Sequence, residues 1–282
     1  MVALSADPFS LIAKDKPILS FGVVTDSHYA DRDAVGTRHY RESISKMEEA
    51  MMEMNSKKVN FVIHLGDFKD QAEHPDEQST IEFLQRLEKA FATYKGPRYH
   101  VLGNHDADSI SKEQFLQHVE NTGIGKEHPH YSYDHNNMHF VVLDGDFTRE
   151  GVAYEKGNFD WKDSFIPQNQ IDWLKNDLLK TALPTIVFVH QLLDDVDDPS
   201  YCVNNAGAVR SVLDESGKVR AVFQGHRHKD RYNKLKGIHY CTLPAMVDYS
   251  GLENNSFSII EVYPDGLNML GYKRAASRRM LS

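Results

Sequence analysis

Five short segments of this 282-residue chain carry side chains of the types that bind metal ions: Asp26 with His28, Asp67 after Gly66, Asn104-His105-Asp106 after Gly103, an isolated His190, and His226 with His228 after Gly225. Carboxylate oxygens, an amide oxygen and neutral imidazoles suit divalent manganese, iron or zinc. No candidate ligand is a soft sulfur, so copper(I) and iron–sulfur chemistry are disfavoured. Residues two apart in an extended segment point to one side, so Asp26 with His28, and His226 with His228, can each converge on one site. Glycines at 66, 103 and 225 allow the sharp turns and close approaches of a crowded centre.

All five segments follow apolar runs. A strand is expected over residues 18–25, ending at Asp26; a helix over 39–57, with Tyr40, Ile44, Met47, Met51 and Met54 on one face; and a strand over 59–65, ending at Gly66-Asp67. A helix over 81–94 and a strand over 99–102 then lead to Gly103. An apolar strand, a polar turn and a helix thus recur, which is how α/β folds place chemistry at the C-terminal ends of strands. Further on, strands are expected near 131–133, 139–143, 185–189, 219–223, 229–235, 238–243, 256–262 and 267–270, with helices over 167–180 and 206–215. Pro167 stands at a helix start, and Lys236-Gly237 and Asp265-Gly266 are hairpin turn pairs. No linker divides the chain, so one domain over 1–282 is expected, with its motifs in 20–230 and a strand-rich portion in 219–271.

The formal charge of −9 and pI near 5.9 describe a surface that repels polyanions, so any phosphate-binding capacity must be local or supplied by cations, and a nucleic-acid polymer is a disfavoured partner. Cys202 and Cys241 are too few for a disulfide framework and read as free or buried thiols. No run approaches the roughly 18 apolar residues of a membrane span, and no basic stretch precedes an apolar one at the N-terminus. The cytoplasm is the default compartment; a leader removed beforehand would leave the same text, so a secreted or periplasmic location stays open, as does the oligomeric state.

In this order the five blocks resemble the calcineurin-like metallophosphoesterase superfamily, whose pattern is D-x-H, G-D, G-N-H-D/E, H and G-H-x-H. The resemblance implies an α/β (α+β) fold, a four-layer α/β/β/α sandwich of two facing mixed sheets flanked by helices. It implies two divalent ions, one held by Asp26, His28 and His228 and the other by Asn104, His190 and His226, with Asp67 bridging. Such ions activate water and stabilise the charge that builds on a phosphate in the transition state. His105, next to the ligating Asn104, is placed to donate a proton to the leaving oxygen or stabilise its charge, with Asp106 orienting its ring, and by the same resemblance it is not itself a ligand. Asp70 occupies the position where purple acid phosphatases carry a Tyr, which turns away from that branch. Tyr29-Ala30-Asp31 and residues 37–43 look like a segment of manganese-dependent ADP-ribose/CDP-alcohol diphosphatases, and the D-x-H and G-N-H-D blocks are also similar to class III cyclic-nucleotide phosphodiesterases. The expected substrate is a small phosphodiester or pyrophosphate, nucleotide-like or an alcohol phosphate. A broad phosphomonoesterase is the alternative, with a non-catalytic protein-binding scaffold of the same fold behind it.

Tyr29, Arg38, Arg41 and Tyr201, with Tyr249, are candidate substrate contacts, because aromatic and guanidinium groups suit bases and phosphates. The loops over 29–41, 145–166 and 194–205 are those expected to choose the substrate. His64, His100, His139 and His239 read as structural, and Asp144-Gly145-Asp146 as a turn or a support for the site. The acidic run 194–198 reads as a solvated loop, with the pocket rim the lesser reading for Asp194 or Asp195. Met47, Met51, Met52 and Met54 read as adaptable packing rather than a cofactor box.

Overall fold

The computed structural model describes residues 16–194 and 198–281. Its strands, in chain order, are β1 (Leu19–Val24), β2 (Phe61–His64), β3 (Arg98–His100), β4 (Tyr131–His135), β5 (Met138–Val142), β6 (Thr185–Phe188), β7 (Val219–Gln224), β8 (Arg231–Leu235), β9 (Ile238–Thr242), β10 (Ser256–Tyr263), β11 (Gly266–Lys273) and β12 (Arg278–Leu281). The helices are α1 (Ser43–Lys57), α2 (Glu77–Phe91), α3 (Lys112–His118), α4 (Gln168–Lys180) and α5 (Ala206–Ser216). One sheet has the order β12-β11-β10-β1-β2-β3 and the other β4-β5-β6-β7-β9-β8. In the first, β1, β2 and β3 are parallel; in the second, β5, β6, β7 and β9 are parallel.

Strand alternation builds the layers. Phe21 and Val23 of β1, with Phe61 and Ile63 of β2, face Phe140, Phe188 and Phe223 of the opposite sheet in a buried interlayer cluster. Phe21 stacks on Phe61 with ring centroids 4.9 Å apart and meets Phe140, Phe188 and Phe223 edge-on, an arrangement that adds ring electrostatics to area burial. The outer face of the first sheet packs on α1, α2 and α3, and that of the second on α4 and α5. Met47, Met51 and Met54 are fully buried there, the packing role expected of them, whereas Met52 is exposed. A Cβ on Gly22 would overlap the Met54 thioether, so glycine lets α1 lie close on β1.

Three elements differ from the sequence reading. Helix α2 begins before residue 81, because Asp76 caps it by accepting the Ser79 N–H at 2.7 Å; its polar first turn carries no apolar periodicity. Helix α3 and strand β12 were not expected. A capping box, with Ser111 accepting from Gln114 N–H and Gln114 accepting from Ser111 N–H, closes the start of α3, a helix too short for periodicity to announce.

Candidate metal centre

Parallel pairing brings the chemistry to one edge. Val24 lies beside His64 and His64 beside His100, so the turns after β1, β2 and β3 emerge together carrying Asp26, Asp67 and Asn104. Phe188 lies beside Phe223 in the facing sheet, and the turns after β6 and β7 deliver His190 and His226. The backbone at the centre is not extended. Asp26, His28, Asp67, His226 and His228 have φ of 51, 45, 53, 67 and 60°, in the left-handed region that side chains rarely occupy. Convergence of Asp26 with His28, and of His226 with His228, is therefore made by turns and not by the strand alternation expected from spacing. Backbone hydrogen bonds hold these turns: His28 N–H donates to Asp67 O at 2.9 Å and Gly225 N–H to His190 O at 3.0 Å. A Cβ on Gly103 would overlap the Asp67 backbone nitrogen, and one on Gly225 would overlap the Thr25 hydroxyl.

Two ligand groups lie side by side. Asp26, His28 and His228 form one, with His28 Nε2 and His228 Nε2 3.1 Å apart and His228 Nε2 3.4 Å from Asp26 Oδ1. Asp67, His190 and His226 form the other, with His190 Nε2 3.1 Å from Asp67 Oδ2. That same Asp67 oxygen is 3.4 Å from His28 Nε2, between the two groups. His190 Nδ1 donates to Leu65 O at 2.8 Å, which leaves Nε2 a lone pair aimed at a carboxylate oxygen. Two acceptors at that separation repel unless a cation stands between them. Asn104 Oδ1, His190 Nε2 and His226 Nε2 are all buried without a hydrogen-bond partner and converge on one centre, a concentration of desolvated acceptors that a bound cation would satisfy. The donor set therefore fits a divalent ion in each group. A proton on the ring meets the same demand for positive charge: although burial opposes it, Asp67 raises His190 to about 10, and Asp26 and Asp248 raise His228 to about 9. Burial, reinforced by the charge on His190, pushes His226 down to about 3.

His105 stands beside the centre, its ring centroid 4.8 Å from that of His28, and its backbone N–H donates to Asp67 Oδ1 at 2.8 Å. Its ring is oriented by Asp108, not by Asp106: His105 Nδ1 lies 2.6 Å from Asp108 Oδ2. The reason is helical geometry. Asn104–Ala107 is a 3-10 turn, whose three-residue period puts position 108 on the face of 105. Asp106 points inward and accepts from the backbone N–H groups of Phe68 and Gly103, both at 2.9 Å, tying two loops of the centre together. Burial and the neighbouring Asp67 charge raise its carboxyl to about 6.

A cleft of about 500 Å3 opens on these groups, lined by Arg38, Asp67, Asn104, His105, Trp161, Tyr201, His226, Arg227 and His228. Two of the expected substrate contacts, Arg38 and Tyr201, line it. Two do not. Tyr29 is buried against Phe83 of α2, and Arg41 is held on the surface by Asp31 and Asp33, each at 2.6 Å. Tyr249, whose backbone N–H donates to Thr37 O and whose ring lies under Arg274, is not among the lining residues either.

The profile described as Calcineurin-like phosphoesterase matches residues 19–230. The chain belongs to that family. A manganese-dependent ADP-ribose/CDP-alcohol diphosphatase of Oryza sativa subsp. japonica is 27% identical, the match covering 94% of each chain. A human protein of the same description is 23% identical over 97% of this chain and 96% of its own. In fold, a dimetal phosphatase from Danio rerio is similar with a TM-score of 0.81 at 21% identity, covering 94% of this chain and 99% of that one. This phosphoesterase is thus a metal-dependent hydrolase of phosphoric esters, working with two divalent cations.

Of the groups that support the phosphoesterase centre, Asp70 and Asp248 carried no ligand signal in the sequence, whereas Asp146 falls in the Asp144-Gly145-Asp146 segment read there as a turn or a support. Asp70, noted only as a departure from Tyr, lies 3.4 Å from His28 Nδ1 and 3.5 Å from Arg38 Nη1. Burial opposes its charge, but His105 and His28 hold its carboxyl well below the usual range. Asp248 lies 3.3 Å from His228 Nδ1. Asp146 accepts from Gln191 at 2.5 Å, and burial with the adjacent Asp144 raises it to about 7, a supporting place beside His190. Asp194 is buried and accepts from Gln224 and Asn233, a correction to the solvated-loop reading, whereas residues 195–197 lie outside the described residues. His64, His100, His139 and His239 are satisfied structural residues; His64 accepts the Gly66 N–H and pairs with Ser27. Cys202 and Cys241 are buried thiols that are not joined in a disulfide. No described helix is long and apolar enough to cross a membrane.

Proposed function

We propose that the protein cleaves the pyrophosphate bond of a small nucleoside diphosphate ester of the ADP-ribose or CDP-alcohol kind. In this reading Asp26, His28 and His228 hold one ion and Asn104, His190 and His226 the other, with Asp67 shared. The observation that carries the assignment is the set of buried lone pairs of Asn104, His190 and His226 directed into the centre without a partner. Relatives that match over nearly their whole length and are described as manganese-dependent ADP-ribose/CDP-alcohol diphosphatases support the substrate class. When bound, the ions supply an activated water and stabilise charge on the phosphate.

The side chains of the chain do the rest. Leu65 O and Asp248 orient His190 and His228 through their outer nitrogens, so each turns Nε2 inward. Asp108, hydrogen-bonded to His105 Nδ1, favours the imidazolium, and with burial outweighed by Asp67 and Asp108 the ring is raised to about 9. His105 then protonates the leaving oxygen. Arg38, lining the cleft and restrained by Asp70, meets the second phosphoryl group of a diphosphate, a contact a monoester cannot make. The test is a substrate panel with the manganese-loaded protein: ADP-ribose, CDP-choline, cyclic AMP, a glycerophosphodiester and p-nitrophenyl phosphate. The diphosphates should show the highest kcat/KM. A dominant rate on p-nitrophenyl phosphate would replace this reading with the monoesterase.

A further inference from the structure

The cleft has two chemically different ends. Arg38 and His105 cluster about Asp70, 3.5 Å and 3.8 Å from its carboxylate oxygens, beside His28. At the other end Trp161 and Tyr201 stand over His226, their ring centroids 5.6 and 5.7 Å from the imidazole and 5.3 Å from each other. Trp161 comes from the loop before α4 and keeps 36% of its surface exposed, so its ring is accessible beside the centre. Tyr201 comes from the 3-10 turn Pro199–Tyr201, and the Arg227 guanidinium packs 5.1 Å from its ring centre, which braces the ring in place. Two aromatic rings, tilted by 42° to one another and opening on a cleft otherwise lined by charged and polar groups, provide a platform for a planar ring.

We propose that Trp161 and Tyr201 form a stacking subsite for the substrate's nucleobase, and that this platform sets the direction in which the substrate lies: nucleoside toward His226, second phosphoryl group toward Arg38 and His105. The inference rests on the diphosphatase reading above. It adds a regiochemistry. Water oxygen bonds to the phosphorus nearer the nucleoside and loses one proton to solvent. The bond from that phosphorus to the bridging oxygen breaks, and the bridging oxygen departs with the second phosphoryl group, taking a proton from His105. The products are a nucleoside monophosphate and a phosphorylated alcohol or sugar.

The experiment compares the manganese-loaded wild type, Trp161→Ala and Trp161→Phe on ADP-ribose and on dimethyl pyrophosphate, a diphosphate diester without a base. Trp161→Ala should lower kcat/KM for ADP-ribose by about tenfold to a hundredfold, the range of one lost base–aromatic stack, with the loss mainly in KM. Its rate on dimethyl pyrophosphate should be unchanged, and Trp161→Phe should recover most of the loss. Only Trp161 and Trp173 contribute indole fluorescence, so in a Trp173→Phe background AMP should quench the emission and ribose 5-phosphate should not. Hydrolysis of ADP-ribose in 18O-water should place the label in AMP. Equal losses on both substrates, no loss on either, or quenching by both ligands would overturn the stacking subsite, and label in ribose 5-phosphate would overturn the orientation. Failure of the wild type to cleave either diphosphate would instead sink the diphosphatase reading, a separate result.

Discussion

The two ends of the cleft are built differently. At the His105 end the groups are over-determined: Asp108 and Asp70 hold His105, Asp70 also faces His28 and Arg38, and the buried Lys69 ammonium donates to the carbonyls of His105 and Asp108. At the Trp161 end the rings are carried by loops and held by ring contacts and by cations on their faces, Lys162 on Trp161 and Arg227 on Tyr201. Groups that move protons and neutralise charge work only within tenths of an ångström, so they stand on turns anchored directly at strand ends and braced by buried charges. A stacking face tolerates a wider range of positions, and a loop can supply it. On the proposed reading, proton transfer and phosphate contacts fall at the braced end and base recognition at the loop-borne one.

The largest effect should come from breaking the rigid end at its centre. His105→Ala is expected to lower kcat by about 100- to 10,000-fold while bound manganese, measured by metal analysis, stays at the wild-type level. Loss of manganese in this variant would make His105 part of the metal set. Next, Asp108→Asn should cost roughly 10- to 100-fold in kcat and shift the basic limb of the kcat profile to lower pH, because the carboxylate that favours the imidazolium is gone. Asp106→Asn tests the same geometry by contrast: its effect should appear in stability, since Asp106 touches backbone and not the His105 ring. Lys69→Met should leave two buried carbonyls without their donor and lower unfolding stability by about 1–3 kcal/mol, read by urea denaturation.

The smallest effect lies outside the cleft and serves as its control. Burial disfavours the charged form of His139, but the hydrogen bonds its ring donates to Asp177 at 2.7 Å and to Asp134 at 2.6 Å outweigh it and raise the pKa above 6.5. A raised folded-state pKa contributes stability that is complete below 6.5 and is lost as pH rises through the folded value. His139→Gln should therefore flatten the stability difference between acidic and alkaline pH. Because Asp134 is mostly exposed, the change should stay below about 1 kcal/mol, and the kcat profile should not move. A shift in kcat would couple the second sheet's hairpin to the centre and erase the separation drawn between the regions.

Much of this was readable in advance because it depends on local rules. Side-chain types that bind metals, set after apolar strands, mark a ligand set without coordinates, and alternating strand and helix periods imply layered sheets. The order of the five blocks named the family. What lay beyond local rules was side-chain direction. Arg38 and Arg41 are three residues apart and equally basic, yet one lines the cleft while the other is drawn to Asp31 and Asp33. Asp106 and Asp108 are equally acidic, and only the tight turn of Asn104–Ala107 puts the second beneath His105. Trp161 and Tyr201 come from separate loops, brought to 5.3 Å by packing of the second sheet's connections. The sequence alone determined which atoms could bind metal and which strands would deliver them. The tertiary structure decided which oxygen, guanidinium or ring faces the cleft, because that depends on turn geometry and on competing partners far along the chain.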